Sequence, residues 1–200
     1  MNCPKPLRLY LVRHGETPWT LSRQHTGRTD VPLTAHGETE AKRLIGPVRD
    51  IPFSQVLTSP MQRAQRTCAL AGLGAHAQID PQLLEWNYGD YEGLRSMDIQ
   101  KLRNGWNLFR DGCPNGESPL QIGERADRLI SHLRTLEGNV ALFSHGQFAA
   151  VLAARWVDLP PVAAQHFPLD TASLSILAYD VHHPEVAVIA LWNGLSSAVV

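Results

Sequence analysis

The sequence predicts an α/β protein, a three-layer α/β/α sandwich whose mostly parallel sheet carries helices on both faces, built as one domain over residues 1–200. Three observations predict it. Short apolar runs alternate with amphipathic helical patterns, as expected of a sheet covered on both sides. The 200 residues, 44% apolar and 18% charged, are enough to enclose one sizeable core. No internal repeat, low-complexity tract or Ser/Gly linker divides the chain.

The elements follow in order. Leu7 to Val12 is strand-like and runs into Arg13-His14-Gly15. Thr34 offers an N-cap, and Ala41, Leu44, Ile45 and Val48 then share one helical face. Gln55 to Thr58 reads as a second strand. Ser59-Pro60-Met61-Gln62 has the grammar of a helix start, with an N-cap serine, proline at the first helical position and a glutamine to close a capping box. Arg63 therefore falls in the first turn of that helix. Ser118-Pro119-Leu120-Gln121 repeats the grammar, and Ile122, Ala126, Leu129, Ile130, Leu133 and Leu136 supply a buried stripe that Gly138 would end. Val140 to Phe143 is a buried strand ending at Ser144-His145-Gly146, and Gln147 to Trp156 is helical. Ser173 to Tyr179 and Val186 to Leu191 complete the strands.

Composition excludes several classes of function. Eighteen Lys and Arg against nineteen Asp and Glu leave a net charge of −1, too little for a protein that grips nucleic acid or an anionic membrane by bulk electrostatics. Val140 to Ala154 lacks formal charge but holds Ser144, His145, Gly146 and Gln147, so it is no membrane span. No secretory leader is apparent. Leu7 to Val12 is short and interrupted by Arg8. Cys3, Cys68 and Cys113 are scattered and form no disulfide framework, which fits a reducing, cytoplasmic setting.

Arg13-His14, Ser59 to Arg63 and Ser144-His145 all lie at predicted strand ends or strand–helix junctions. Ligands of open α/β sheets gather there. Two arginines and two histidines in one crevice suit a multiply charged oxyanion, because guanidinium forks match phosphate oxygens and stay cationic. A neutral imidazole is a competent nucleophile toward phosphorus. The remaining requirement is a proton donor for the leaving oxygen. Glu85, among Leu83, Leu84 and Trp86, is the best-placed candidate, with Asp90 and Glu92 as competing carboxylates.

Leu11-Val12-Arg13-His14-Gly15-Glu16-Thr17 resembles the signature of the histidine phosphatase superfamily, the phosphoglycerate-mutase-like proteins. Ser59 to Ala64 resembles its second arginine motif, Leu84-Glu85 with Tyr88-Gly89 and Glu92-Gly93 its acid/base segment, and Ser144-His145-Gly146 its second histidine motif. The four stand in the family's order and span essentially the whole chain. The resemblance implies the family's fold. It also implies His14 as the nucleophile that becomes a phosphohistidine. Arg13, Arg63 and His145 would hold the phosphoryl group, and Glu85 would act as acid and then base. Thr26 and Gly27 match a backbone-and-hydroxyl substrate contact, and Gly146-Gln147 would lie beside the phosphate. Tyr88 is expected at the pocket rim. One position departs from the pattern: many members carry asparagine where this chain has Thr20. The segments 25–34, 111–118 and 170–173 resemble the sedoheptulose-1,7-bisphosphatase-like branch.

The expected function is thus hydrolysis of small phosphorylated metabolites, sugar phosphates or bisphosphates, with no metal or organic cofactor. The partner is a small phosphorylated substrate; neither nucleic acid nor membrane is expected, and the oligomeric state is left open, a homodimer being one arrangement. A phosphoglycerate mutase uses the same residues, but mutases of this family carry a longer segment after the acid/base glutamate than Ser96 to Glu117. A phosphoprotein phosphatase or a phospho-ligand-binding regulator is the further alternative. His25 would line the pocket rim, and His36, His76, His132, His166, His182 and His183 read as surface or packing residues. Gly72-Leu73-Gly74 lacks the remainder of a phosphate-loop pattern. Trp106 to Glu117, rich in Gly, Asn and aromatics, is the candidate lid.

Overall fold

The structure, a computed structural model, describes residues 6–194, so Cys3 lies outside the described residues. Four parallel strands form one side of a six-stranded sheet, from its edge to its centre: β1 (Arg8–Arg13), β2 (Phe53–Thr58), β3 (Ala77–Ile79) and β4 (Asn139–Ser144). β5 (Leu174–Tyr179) pairs antiparallel to β1, and β6 (Ala187–Gly194) antiparallel to β5, giving the order β3-β2-β4-β1-β5-β6. The sheet is thus mixed, parallel through its centre.

Alternation along the strands divides the core into two layers. Leu9, Leu11, Val140 and Leu142 pack on one face with α7 (Pro119–Leu133) and α8 (Gly146–Trp156). Tyr10, Val12, Ala141 and Phe143 pack on the other. There they meet Leu44, which joins α2 (Ala35–Arg43) to α3 (Ile45–Val48), Val48 of α3 and Cys68 of α4 (Gln62–Leu70), all buried. Central strands covered on both faces are near-continuously apolar, and this made β1 and β4 legible. No helix among the described residues is long and apolar enough to cross a membrane.

Local chemistry explains where the predicted elements moved. The capping box of α7 forms, with Gln121 N donating to Ser118 Oγ at 3.2 Å and Ser118 N to Gln121 Oε1 at 2.8 Å. That helix ends at Leu133, ahead of Gly138, whose positive φ of 76° turns the chain into β4 instead. The helix predicted after Thr34 is divided at Leu44 into α2 and α3, with Pro47 in the second piece. α4 starts at Gln62 rather than Pro60, and Ser59 is not its cap. Asp30 supplies the cap from outside the helix, its Oδ1 accepting from Gln62 N at 2.8 Å, while Ser59 Oγ is engaged by His145. β3 escaped the periodicity because it is three residues long and largely exposed at the sheet edge. Three short helices, α1 (Pro18–Ser22), α5 (Ser96–Leu102) and α6 (Leu108–Asp111), were not foreseen either.

The register Arg13↔Ser144 brings the carboxyl ends of β1 and β4 level, and His14 N donates to Ser144 O at 3.0 Å. His14 and His145 are therefore neighbours because their strands are. Just beyond, a Cβ on Gly15 would lie 2.4 Å from Gly37 O, so only glycine lets α2 press against the turn after His14.

Candidate active site

A cavity of about 240 Å³ opens at the carboxyl ends of the central strands. Arg13, His14, Thr20, Thr26, Glu85, Tyr88, Gly146 and Gln147 line it, joined by Arg23, Gln24 and His25. Of the residues singled out in the sequence, Arg63, His145 and Gly27 lie behind the wall. A larger groove, about 590 Å³, runs beside β3 between Pro32, Gln62, Arg66 and Ile79, away from both histidines and Glu85.

His14 is buried, and its Nδ1 lies 2.8 Å from Gly15 O. A carbonyl only accepts, so Nδ1 carries the proton and Nε2 keeps its lone pair. Burial, then the charges of Arg63 and Arg13, hold the imidazole pKa well below its ordinary value, and the ring stays neutral. The His145 ring stands 5.2 Å away, centroid to centroid. Its Nδ1 accepts from Arg63 Nε at 3.2 Å, which fixes the proton on Nε2, 2.8 Å from Ser59 Oγ. Burial, Arg63, His14 and Arg13 keep this ring neutral too.

The two arginines are held differently. Arg63 is fully buried, and besides His145 it donates to Thr26 O, Gly27 O and Thr29 O at 3.2, 3.0 and 2.9 Å. It ties the 26–29 loop to the site. Gly27 is correspondingly occupied on both sides, its N–H donating to Glu92 Oε1 at 2.8 Å. Arg13 donates through Nη1 to Leu169 O, but its Nε is buried without a partner among the described residues. An orphaned guanidinium N–H beside the cavity leaves Arg13 with donor capacity to spare for an oxyanion. Gly146 makes room for this side chain, since a Cβ there would sit 3.2 Å from Arg13 Nε and Cζ.

Glu85 is 5% exposed. Its Oε1 accepts from Trp86 N at 2.8 Å and Phe148 N at 2.7 Å, and among the described residues Oε2 accepts only from Gln147 N at 2.9 Å. The carboxylate therefore sits on the first turn of α8. Burial raises its pKa above the ordinary value, against the opposing pull of those three N–H groups and Arg13. Oε2, with one partner, has the room to carry a proton. The competing carboxylates are committed elsewhere. Glu92 also braces Thr29 N at 3.0 Å, Asp90 bonds Asn115, and neither lines the cavity.

Thr20 lines the cavity, but its hydroxyl donates to Thr17 O at 2.8 Å and accepts from Thr17 N at 2.8 Å, closing the capping box of α1. Thr26 turns its hydroxyl to Gln24 O at 3.1 Å. Tyr88 is buried, its ring 4.6 Å from that of His25, and burial pushes its phenol pKa well up. Burial also lowers the His25 pKa to about 4, so the rim imidazole is neutral. The segment 106–117 does not cover the mouth. Trp106, Leu108 and Cys113 are core residues, and the Trp106 ring stands near-perpendicular to that of His25, 5.7 Å between centroids. Burial pushes the Cys68 and Cys113 thiols up to about 12, which leaves no thiolate nucleophile there.

Sequence reasoning missed the frame around Glu85. Arg125, 8% exposed on α7, donates to Gln82 O, Leu84 O and Glu85 O at 2.8, 2.7 and 3.3 Å. It also grips Glu117 through Nε and Nη2 at 2.8 and 2.9 Å, and its guanidinium lies 4.2 Å from the Phe148 ring centroid. Glu117 in turn accepts from Asn87 N at 2.7 Å. No local pattern announces this clamp, because its partners are spread from 82 to 148. Arg125→Met leaves Glu117 and three carbonyls without their donor, and a loss of about 3–5 kcal/mol in urea unfolding is expected for one partner of a buried pair. A loss below about 1 kcal/mol, the range of exposed pairs, would refute the clamp.

A model of the histidine phosphatase superfamily (branch 1) matches residues 9–191. An acid phosphatase of Mycobacterium tuberculosis is 38% identical over 190 residues, covering 92% of each chain. Sedoheptulose 1,7-bisphosphatase of Saccharomyces cerevisiae is 36% identical over 184 residues, 76% of this chain and 68% of that one. Among solved structures, the alpha-ribazole phosphatase of Shigella flexneri superposes with a TM-score of 0.83 at 29% identity, over 96% of this chain and 99% of that one.

Proposed function

The chain belongs to the histidine phosphatase superfamily, and from that premise we propose that it is a phosphomonoesterase that hydrolyses small phosphorylated metabolites, sugar phosphates and bisphosphates among them, through a phosphohistidine. One observation carries the proposal: the unprotonated Nε2 of His14 and the unpartnered Nε–H of Arg13 belong to adjacent residues of one cavity wall. The named activities of the relatives, phosphatases of an acid-active type and of a sugar bisphosphate, support it.

In this mechanism the phosphoryl oxygens sit on Arg13 beside Gly146, with Arg63 adding positive potential from behind and the neutral His145 holding Arg63 Nε in place. His14 Nε2 attacks phosphorus while Nδ1–H stays on Gly15 O. The P–O bond to the substrate breaks, and the leaving oxygen takes the proton from Glu85 Oε2. Glu85, now ionised, takes a proton from water. The resulting hydroxide attacks the phosphohistidine, the N–P bond breaks, and phosphate leaves with His14 and Glu85 restored. Hydrolysis, rather than return of the phosphoryl group to an organic hydroxyl, is supported by the placement of segment 106–117, whose Trp106, Leu108 and Cys113 are in the core and none of whose residues lines the cavity.

The test is phosphate release by metal-free protein over sugar phosphates, bisphosphates and phosphoglycerates, with interconversion of 3- and 2-phosphoglycerate followed with and without a bisphosphate primer. Release concentrated on a few sugar phosphates is expected. Isomerisation without release, or silence on every compound, would overturn the assignment.

A further inference from the structure

With segment 106–117 packed away, the part of a substrate that is not transferred must meet the 20–26 loop. The polar groups of that loop are mostly spent inside the protein. Thr20 and Thr26 bond backbone carbonyls, and Gln24 Nε2 donates to Gly93 O at 2.8 Å. His25 is neutral and rests on Tyr88. Arg23 is the exception. Its side chain lines the cavity, is exposed, and makes no hydrogen bond or ion pair among the described residues.

The backbone makes this choice more pointed. Arg23 stands at the C-cap of α1 with φ 61° and ψ 31°, the left-handed region, where its N–H closes the helix on Thr20 O. Glycine or asparagine is most at ease there. An arginine in that place puts a permanently charged fork at the mouth, on a backbone turn that the cap holds in one conformation. The transferred phosphoryl group already has Arg13, with Arg63 behind it. A further unpaired cation at the entrance is surplus to it.

We propose that Arg23 reads a second anionic group, a carboxylate or a second phosphate, on the part of the substrate that stays outside, and so selects phosphomonoesters that carry such a second group. The proposal rests on the phosphatase assignment and narrows its substrate class. A guanidinium fork meets either group bidentately, which gives orientation as well as attraction.

Matched pairs test it: glycerol 3-phosphate against 3-phosphoglycerate, and fructose 6-phosphate against fructose 1,6-bisphosphate, with p-nitrophenyl phosphate as the substrate lacking a second anion. Both kcat/KM and calorimetric binding are measured for the wild type, Arg23→Gln, Arg23→Gly and Arg43→Gln, the last removing an exposed charge from α2. The wild type is expected to favour the more anionic member in at least one pair. Both Arg23 variants should lose about tenfold or more of that preference, about 1.4 kcal/mol, while p-nitrophenyl phosphate turnover and Arg43→Gln stay near wild type. Arg23→Gly suits the left-handed cap, so a folding defect would not explain its loss. The preference should also shrink with added salt. Absence of any preference in the wild type, or its survival in both Arg23 variants, would overturn the proposal. Should no compound release phosphate, the phosphatase assignment fails by itself, and the calorimetric preference still decides the role of Arg23.

Discussion

His14→Ala is expected to lower phosphate release by on the order of 10⁴-fold or more, the scale of removing a covalent nucleophile, while the protein remains folded. His14 is the residue whose protonation is settled by its surroundings. The Gly15 carbonyl fixes the proton on Nδ1, and burial beside Arg63 and Arg13 keeps the ring from taking a second one. The described cysteines are buried with raised thiol pKa values, His145 gives both its nitrogens to Arg63 and Ser59, and the neutral His25 sits at the rim with its Nε2 3.1 Å from Ser96 Oγ. The measurement has two arms. Rapid quenching should trap an acid-labile phosphoenzyme in the wild type and none in the variant. Inorganic phosphate should still raise the Tm of the variant, because Arg13 and Arg63 remain. Turnover above about a thousandth of wild type, well over what loss of a nucleophile leaves, would move the nucleophile elsewhere.

Glu85→Gln carries the second-largest effect, and its signature is selectivity. In single-turnover experiments, phosphorylation of the enzyme by a sugar phosphate should slow by about 10²–10⁴-fold, the scale of general acid catalysis. With p-nitrophenyl phosphate, whose leaving group needs little protonation, the loss should be below about tenfold on the same argument. An equal loss on both would remove Glu85 from the acid role. The pH profile follows from the same residue. A group acting as an acid must be protonated, and the protonated fraction falls as pH rises through a pKa that burial has lifted above the usual carboxylate range. His14 must be neutral, and its pKa is depressed, so its limb lies on the acid side. Sugar phosphate turnover should therefore decline from mildly acidic toward neutral and alkaline pH, and the alkaline decline should vanish for the phosphorylation step with p-nitrophenyl phosphate.

Much of this was legible in the sequence, for identifiable reasons. β1 and β4 are sandwiched between helical layers and must be apolar along their length, so Leu9 to Val12 and Val140 to Phe143 stand out without any structural help. The box at Ser118 and Gln121 is a local exchange of hydrogen bonds, and residues three apart can announce it. Polar clusters at the ends of those strands placed Arg13, His14 and His145 together, since parallel neighbours of one sheet bring their carboxyl ends level.

The same grammar misled at Ser59. It resembles an N-cap, yet the helix starts at Gln62, whose N–H Asp30 accepts, while Ser59 Oγ meets His145 Nε2 from beyond β4 and, at 3.4 Å, Met61 N ahead of the helix. Glu85 was singled out for its apolar neighbours, but its setting on Trp86, Gln147 and Phe148 N–H groups and under the Arg125–Glu117 clamp joins segments far apart in the chain. Likewise, nothing near Trp106 says that it is buried beside His25 rather than spread over the mouth. The sequence by itself determined the layers and the residue types of the cavity, because periodicity and strand-end position are properties of neighbours along the chain. Tertiary structure alone decided which nitrogen carries each proton, which carboxylate faces the cavity and which arginine of its lining is without a partner for its side chain among the described residues, because each depends on a hydrogen-bond partner brought from a distant segment or on its lack.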